Sequence, residues 1–207
     1  MLTYLCMTTP LPFYISENDP PAKREILRAA MKLFSERGLA ATSIRDIAQE
    51  SGFTNPALYK HFVGKEELAL HLFETCHGRV WASCAAALAS RNDFEGKLDA
   101  YAGRWLALWD QYPDVLAFLS DSARVLWPKS RATVRRHTMI GLAKLLVAQA
   151  PQAHHPSPVN PDLAAANLQG TLAELTRMIQ VGVIKGPAGR WTSSVVGLFR
   201  KFLLQRS

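Results

Sequence analysis

The sequence predicts an all-α protein, a small N-terminal three-helix unit joined by one long helix to a larger helical unit. Three observations predict it. Apolar residues recur at three- and four-residue steps through successive segments, which is the period of one helix face. Glycines and prolines, such as Gly38, Gly52, Pro113 and Pro128, punctuate those segments instead of interrupting them. Residues 42–65, TSIRDIAQESGFTNPALYKHFVGK, read as two short helices joined by a sharp turn.

The chain has 207 residues, 48% apolar and 20% charged, which describes a globular protein able to bury a core without disulfides or metals. No apolar run approaches the length of a membrane-spanning helix, so none is expected. A formal charge of +7 favours polyanions or acidic surfaces as partners. Cys6, Cys76 and Cys84 are odd in number and have no C-x-x-C spacing, so a reducing cytoplasm is expected, with neither a disulfide framework nor a zinc site. Cys76 and Cys84 stand about 12 Å apart along a helix at 1.5 Å per residue, too far to share a metal. Residues 1–20 carry Pro10 and Pro12 and no basic n-region. They read as a flexible arm, or as residues upstream of another start at Met7, in preference to a cleaved signal peptide.

The first helix is expected at about 21–37. Ile26, Leu27, Ala30, Leu33 and Phe34 share its buried face, and Gly38 offers the positive φ of a C-terminus. Thr42 or Ser43 can cap a second helix, with Asp46 completing a capping box and Ile44, Ile47 and Ala48 turned inward. Gly52 ends it. Thr54 is the expected hydroxyl N-cap of a third helix with Pro56 in its first turn, and Leu58 and Phe62 are buried one turn apart.

Small Ala48, Gly52 four residues on and Leu58 six further suit two helices that cross closely, as in a helix-turn-helix or an ordinary helical hairpin. The outward positions of the third helix favour the first. Thr54, Asn55, Ala57, Tyr59, Lys60 and His61 offer short polar groups at the N-terminal end and phosphate donors behind them. Lys65 opens the next helix, where its charge and free N–H groups favour an anion.

Residues 23–70 resemble the TetR family of bacterial transcriptional repressors. The resemblance lies in Arg24-Glu-Ile-Leu-Arg-Ala-Ala30, Leu33-Phe34, Gly38, Thr42-Ser43-Ile44, Ile47-Ala48, Gly52-Phe53-Thr54, Ala57-Leu-Tyr-Lys-His-Phe62 and Lys65-Glu-Glu-Leu68. It implies that the third helix enters the major groove. By position, Thr54, Asn55, Pro56, Ala57 and Lys60 would face bases, and Thr42, Ser43, Tyr59, His61 and Lys65 would hold phosphates. Ala57 falls where some relatives carry a larger or polar residue and others glycine.

A long helix over about 65–90 follows and suits a lever. Asn92 is the expected cap of a fifth helix with the stripe Leu98, Tyr101, Ala102, Trp105, Leu106 and Trp109, and Pro113 opens a sixth. A seventh is expected at about 129–149, with Arg131, Arg135, Arg136, His137 and Lys144 on a solvated side. Residues 150–161 form a proline-rich loop in which His154 and His155 read as exposed. Helices at about 161–184 and 191–205 close the chain.

No catalytic motif or cofactor fingerprint is present, so no enzyme, cofactor or metal site is expected. Tyr101, Trp105, Trp109, Phe118, Trp127, Met139 and Met178 are candidates to line a pocket for a hydrophobic or aromatic small molecule. Leu168, Leu172, Leu175, Ile179, Val195, Leu198, Phe199 and Phe202 are candidates for a homodimer interface, in the manner the resembled family uses its last two helices. The expected organisation is an arm at 1–20, a helix-turn-helix DNA-binding domain at 21–67 and a helical ligand-binding and dimerisation domain at 68–207. The function it implies is a ligand-released homodimeric repressor of a palindromic double-stranded DNA operator. The alternative is a helical module that binds protein or lipid and does not read DNA.

Overall fold

The computed structural model describes residues 12–151 and 160–204, apart from the Leu204 side chain, and the expectations for Cys6, Met7, His154 and His155 lie outside that range. The described residues form helices α1 (Pro21–Ala41), α2 (Ile44–Ser51), α3 (Asn55–Tyr59), α4 (Lys65–Ala89) and α5 (Phe94–Gln111). There follow α6 (Pro113–Leu126), α7 (Ala132–Arg135), α8 (Met139–Val147), α9 (Pro161–Gln180) and α10 (Thr192–Leu204), with 3-10 turns at Trp127–Lys129 and Ala188–Trp191. No strand occurs among them, and none of the helices is long and apolar enough to cross a membrane.

Several boundaries differ from the pattern in the sequence. The single helix expected at 129–149 is three short pieces. Ser130 is extended and buried, its hydroxyl donating to the Leu126 carbonyl, and Arg131 is held on α4 by Glu74. The helix restarts only where the Thr138 side chain accepts from Gly141 N. Asp93, not Asn92, caps α5 by accepting from Gly96 N at 2.7 Å. The helix expected to reach 184 stops at Gln180, because Gly182 turns left-handed and Val183 N donates back to the Met178 carbonyl.

One hydrophobic core runs from Ile15 to Leu203. α4 lies at its centre and packs on α1, α5, α6 and α8, while α1 also packs on α6 and α8 pairs with α9. Phe34 of α1 stacks on Phe118 of α6 at 5.7 Å between ring centroids, and Phe118 meets Phe73 of α4 edge-on at 6.4 Å. This aromatic junction packs the three-helix unit directly on the helices that follow.

Residues 12–20 are not the free arm that their prolines imply. Ile15 is 3% exposed, the Phe13 ring lies 4.6 Å from that of Tyr112, and the Arg79 guanidinium of α4 donates to the carbonyls of Phe13 and Ile15. Arg24 donates to the carbonyls of Asp19 and Glu17, which fixes the entry into α1. The segment is a strap laid across α1, α4 and the α5–α6 corner.

Candidate functional site

The candidate reading surface is built on α2 and α3. Ser43 caps α2: its hydroxyl accepts from Asp46 N at 3.2 Å and donates to the Asp46 carboxylate at 2.6 Å, and Ser43 N donates to the same carboxylate at 2.7 Å. The Ser43 hydroxyl bond holds the Asp46 carboxyl below its ordinary range. Both donors of Ser43 are therefore occupied in the cap, and the phosphate role expected of its side chain is not open to it. Thr42 departs further from expectation. It is 1% exposed, with its hydroxyl donating to the Gly38 carbonyl at 2.9 Å, so it closes the end of α1 and faces no solvent.

Gly52, at φ 73°, makes the turn, and Phe53 N donates to the Ala48 carbonyl at 3.0 Å to close it. α3 is only five residues long, yet its position is fixed. Leu58 is 0% and Phe62 4% exposed, each worth about 1.5–3 kcal/mol of burial. Thr54 takes the N-cap backbone conformation, but its side chain makes no cap bond. Its exposed hydroxyl thus remains available, unlike that of Ser43.

Along the outer face, Thr54, Pro56, Tyr59 and Lys60 are exposed, Tyr59 at 53%, while Asn55, Ala57 and His61 are half-buried. These seven lie within one eight-residue stretch around α3. Lys65 reaches them less freely, because its Nζ donates to the Leu39 carbonyl at 3.0 Å and ties the start of α4 to the end of α1. The sequence reading missed Arg45, which is exposed in the first turn of α2 one residue from Ile44. Its signal was available: a cation two residues after a capping serine.

A second feature lies in the larger unit. A cavity of about 230 Å³ opens between α5, α6 and α9. Val80, Trp105, Trp109, Leu116, Leu119 and Met139 supply its apolar lining, and Ser120, Gln169, Ala173, Thr176, Arg177 and Gln180 supply the rest. Of the expected lining residues, Trp105, Trp109 and Met139 are there. Tyr101 is fully buried behind the wall, where burial raises its phenol pKa and its hydroxyl donates to Gln169 Oε1 at 2.7 Å. Phe118 belongs to the aromatic junction, Trp127 packs edge-on against His77 at 5.0 Å, and Met178 does not line the cavity. The missed polar residues have a helical signal, since Gln169, Thr176, Arg177 and Gln180 fall on one side of α9.

The expected interface residues divide. Leu168, Leu172, Val195 and Phe199 are buried within the chain itself and are core, because α9 and α10 turn those positions toward α5 and each other. Leu175, Ile179 and Phe202 are half-buried, and Leu198 is 53% exposed. The basic segment 131–144 is spent partly on local partners, Arg131 on Glu74 and Lys144 on Asp162 at 2.7 Å. Cys76 and Cys84 are free, buried thiols whose pKa is pushed up to about 12 by desolvation. Among the described residues no group of three metal-ligating side chains occurs.

Residues 26–72 match the family described as bacterial regulatory proteins, tetR family. The chain is 29% identical over 125 residues to the transcriptional repressor KstR2 of Rhodococcus jostii, a stretch that spans 60% of this chain and 61% of that repressor. The aligned part is thus under two thirds of the relative's length. Among solved structures, the fatty acid degradation regulator FadR of Bacillus halodurans superposes with a TM-score of 0.74 at 19% identity, covering 92% of this chain and 100% of that one. The ketosteroid transcriptional regulator KstR2 of Mycobacterium tuberculosis gives 0.73 at 21% identity, over 84% and 91%. At these identities the superpositions speak for the fold, and the matched N-terminal residues are those that carry α1 to the first turns of α4. Residues 26–72 are thus similar to the tetR family of bacterial regulatory proteins, and the described residues share the fold of these solved regulators.

Proposed function

We propose that the chain is a cytoplasmic transcriptional repressor that binds a palindromic DNA operator as a homodimer and is released by an apolar small molecule. The observation that carries the reading is α3, a short helix locked by Leu58 and Phe62 that leaves Thr54, Pro56, Tyr59 and Lys60 exposed within one short stretch. In this reading Thr54, Asn55, Pro56, Ala57 and Lys60 face base edges. Tyr59 and His61 grip phosphate, joined by Arg45 and by whatever reach Lys65 retains.

Two copies would set their α3 helices roughly 34 Å apart, in successive major grooves. The exposed sides of α9 and α10, carrying Leu163, Ala166, Gly170 and Leu198, support the pairing face better than the buried leucines do. The arm of the mechanism that releases DNA runs through α4. A molecule held against Val80, Trp105 and Trp109 bears on α4 and α5, and the Phe34–Phe118–Phe73 junction carries a shift of α4 to the reader. An effector that prefers the non-binding state ~100-fold supplies about 2.7 kcal/mol of coupling. The fold neighbours named for regulation of fatty acid degradation and of ketosteroids favour an apolar effector.

The test is a mobility-shift titration of the full chain on the DNA upstream of its own gene, at physiological salt. A saturable complex that survives excess unrelated DNA is expected. Equal binding to unrelated fragments, or none, overturns the reading in favour of a helical module with another partner.

A further inference from the structure

We propose that the cavity selects its occupant by hydrogen-bond donors, taking a small apolar molecule that carries a carbonyl or carboxylate oxygen and rejecting cations. Trp105 and Gln169 are the residues that read that oxygen. The inference rests on the cavity being the effector site proposed above.

The floor of the cavity is apolar. Val80, Trp105, Trp109 and Leu116 are buried there, so the body of the ligand is apolar as well. Into this wall is set one unmet polar group, the indole N–H of Trp105, which has no acceptor and no access to water. An indole nitrogen only donates, and a buried donor left without a partner is costly. The ring lines the wall with its N–H beneath the surface, so an oxygen bound there meets that donor only once the indole tilts.

Gln169 adds a second donor. Its Oε1 already accepts from the fully buried Tyr101 hydroxyl, which leaves the Nε2 hydrogens as the free end of the amide. Thr176 adds nothing, since its hydroxyl is turned back on the carbonyls of Leu172 and Ala173.

Charge points the same way. Among the described residues Arg177 is the one formally charged side chain in the lining, and its partner Glu174 stands outside it, with oxygens at 2.8 and 2.6 Å from the guanidinium. Among the described residues no carboxylate lines the cavity. A cationic ligand would lose its hydration without meeting a counter-ion and would pass Arg177 on entry.

Calorimetric titration of the full chain in the absence of DNA tests this with four probes of one size class: naphthalene, 2-acetylnaphthalene, 2-naphthoate and 2-naphthylmethylammonium. The two oxygen-bearing probes are expected to bind about three- to tenfold more tightly than naphthalene, the worth of one net hydrogen bond. The ammonium should bind weakest. Trp105→Phe and Gln169→Leu should each shrink the oxygen advantage, taken as the ratio of oxygen-bearing probe affinity to naphthalene affinity within the same variant, and a thermal melt confirms that each variant is folded. Ammonium binding as tight as that of the naphthoate overturns the proposal, as does an oxygen advantage that survives both substitutions, or failure of all four probes to bind. Since no DNA is present, each of these results is independent of whether the chain reads an operator.

Discussion

Glu74, in the middle of α4, accepts two hydrogen bonds from Arg131, one from its main-chain nitrogen and one from Nε, each at 2.6 Å. Glu74 is 8% exposed while the Arg131 side chain is 73% exposed, so the pair is a buried acceptor served by a surface residue. The backbone bond matters more than the ion pair, because the link between α6 and α7 has no regular partner for that N–H at this point. Replacing Glu74 with leucine should cost about 1–3 kcal/mol, the penalty of stranding a donor. At about 2–4 °C per kcal/mol for a chain of this size, the loss is visible in a thermal melt. A melting temperature equal to that of the parent would show that water or a shifted backbone replaces the bond.

The strap offers a comparable test five residues further along α4, at Arg79. Ile15 is nearly as buried as any core residue, and Arg79 holds two consecutive odd-numbered carbonyls above it. Ile15→Ala should cost about 2 kcal/mol or more, the lower end for an isoleucine emptied from a packed site. Arg79→Ala should lower stability too, and should raise amide hydrogen exchange in residues 12–19 and in the first turn of α1. Exchange rates that stay as in the parent would detach the strap from any structural role.

On the reader, two substitutions separate positioning from choice. Arg45→Ala should weaken binding to all DNA sequences alike and lower the slope of log affinity against log salt by about 0.9, one phosphate contact. Asn55→Ala should leave that slope nearly unchanged and relax preference at one or two base pairs, by about 1–3 kcal/mol each. If Asn55→Ala shifts only the salt slope, the two assignments are reversed.

Much of this was legible because local chemistry dictates it. The Ser43–Asp46 box, the left-handed turn at Gly52 and the buried pair Leu58 and Phe62 follow from residues within a few positions of one another, and all three stand where the pattern puts them. What the sequence hid depends on partners far along the chain. Ser130 and Arg131 break a helix because of Glu74, 57 residues away, and Ile15 is buried because Arg79, 64 residues on, holds its backbone. The aromatic residues illustrate the same limit. Trp105, Trp109, Phe118 and Trp127 share one composition signal, yet two line the cavity, one forms the α1–α6 junction and one covers His77. Periodicity tells that a side chain faces inward but not which neighbour it meets.

Adjacent residues of α10 give the sharpest separation of folding from assembly. Leu198 and Phe199 follow each other in one apolar stripe, but a helix turns about 100° per residue, and Phe199 is 0% exposed while Leu198 is 53% exposed. Leu198→Glu should therefore leave the monomer folded, with an unchanged melt at low concentration, and move the species in sedimentation from dimer to monomer. Operator affinity should fall with it, because each half-site then binds alone. Phe199→Glu should instead collapse the packing of α10 on α5, placing a charge among apolar neighbours at a cost that a domain with 5–15 kcal/mol of stability barely survives. A Leu198→Glu protein that sediments as a dimer and holds operator as the parent does would move the pairing face away from α10, to the exposed Leu163, Ala166 and Gly170 side of α9.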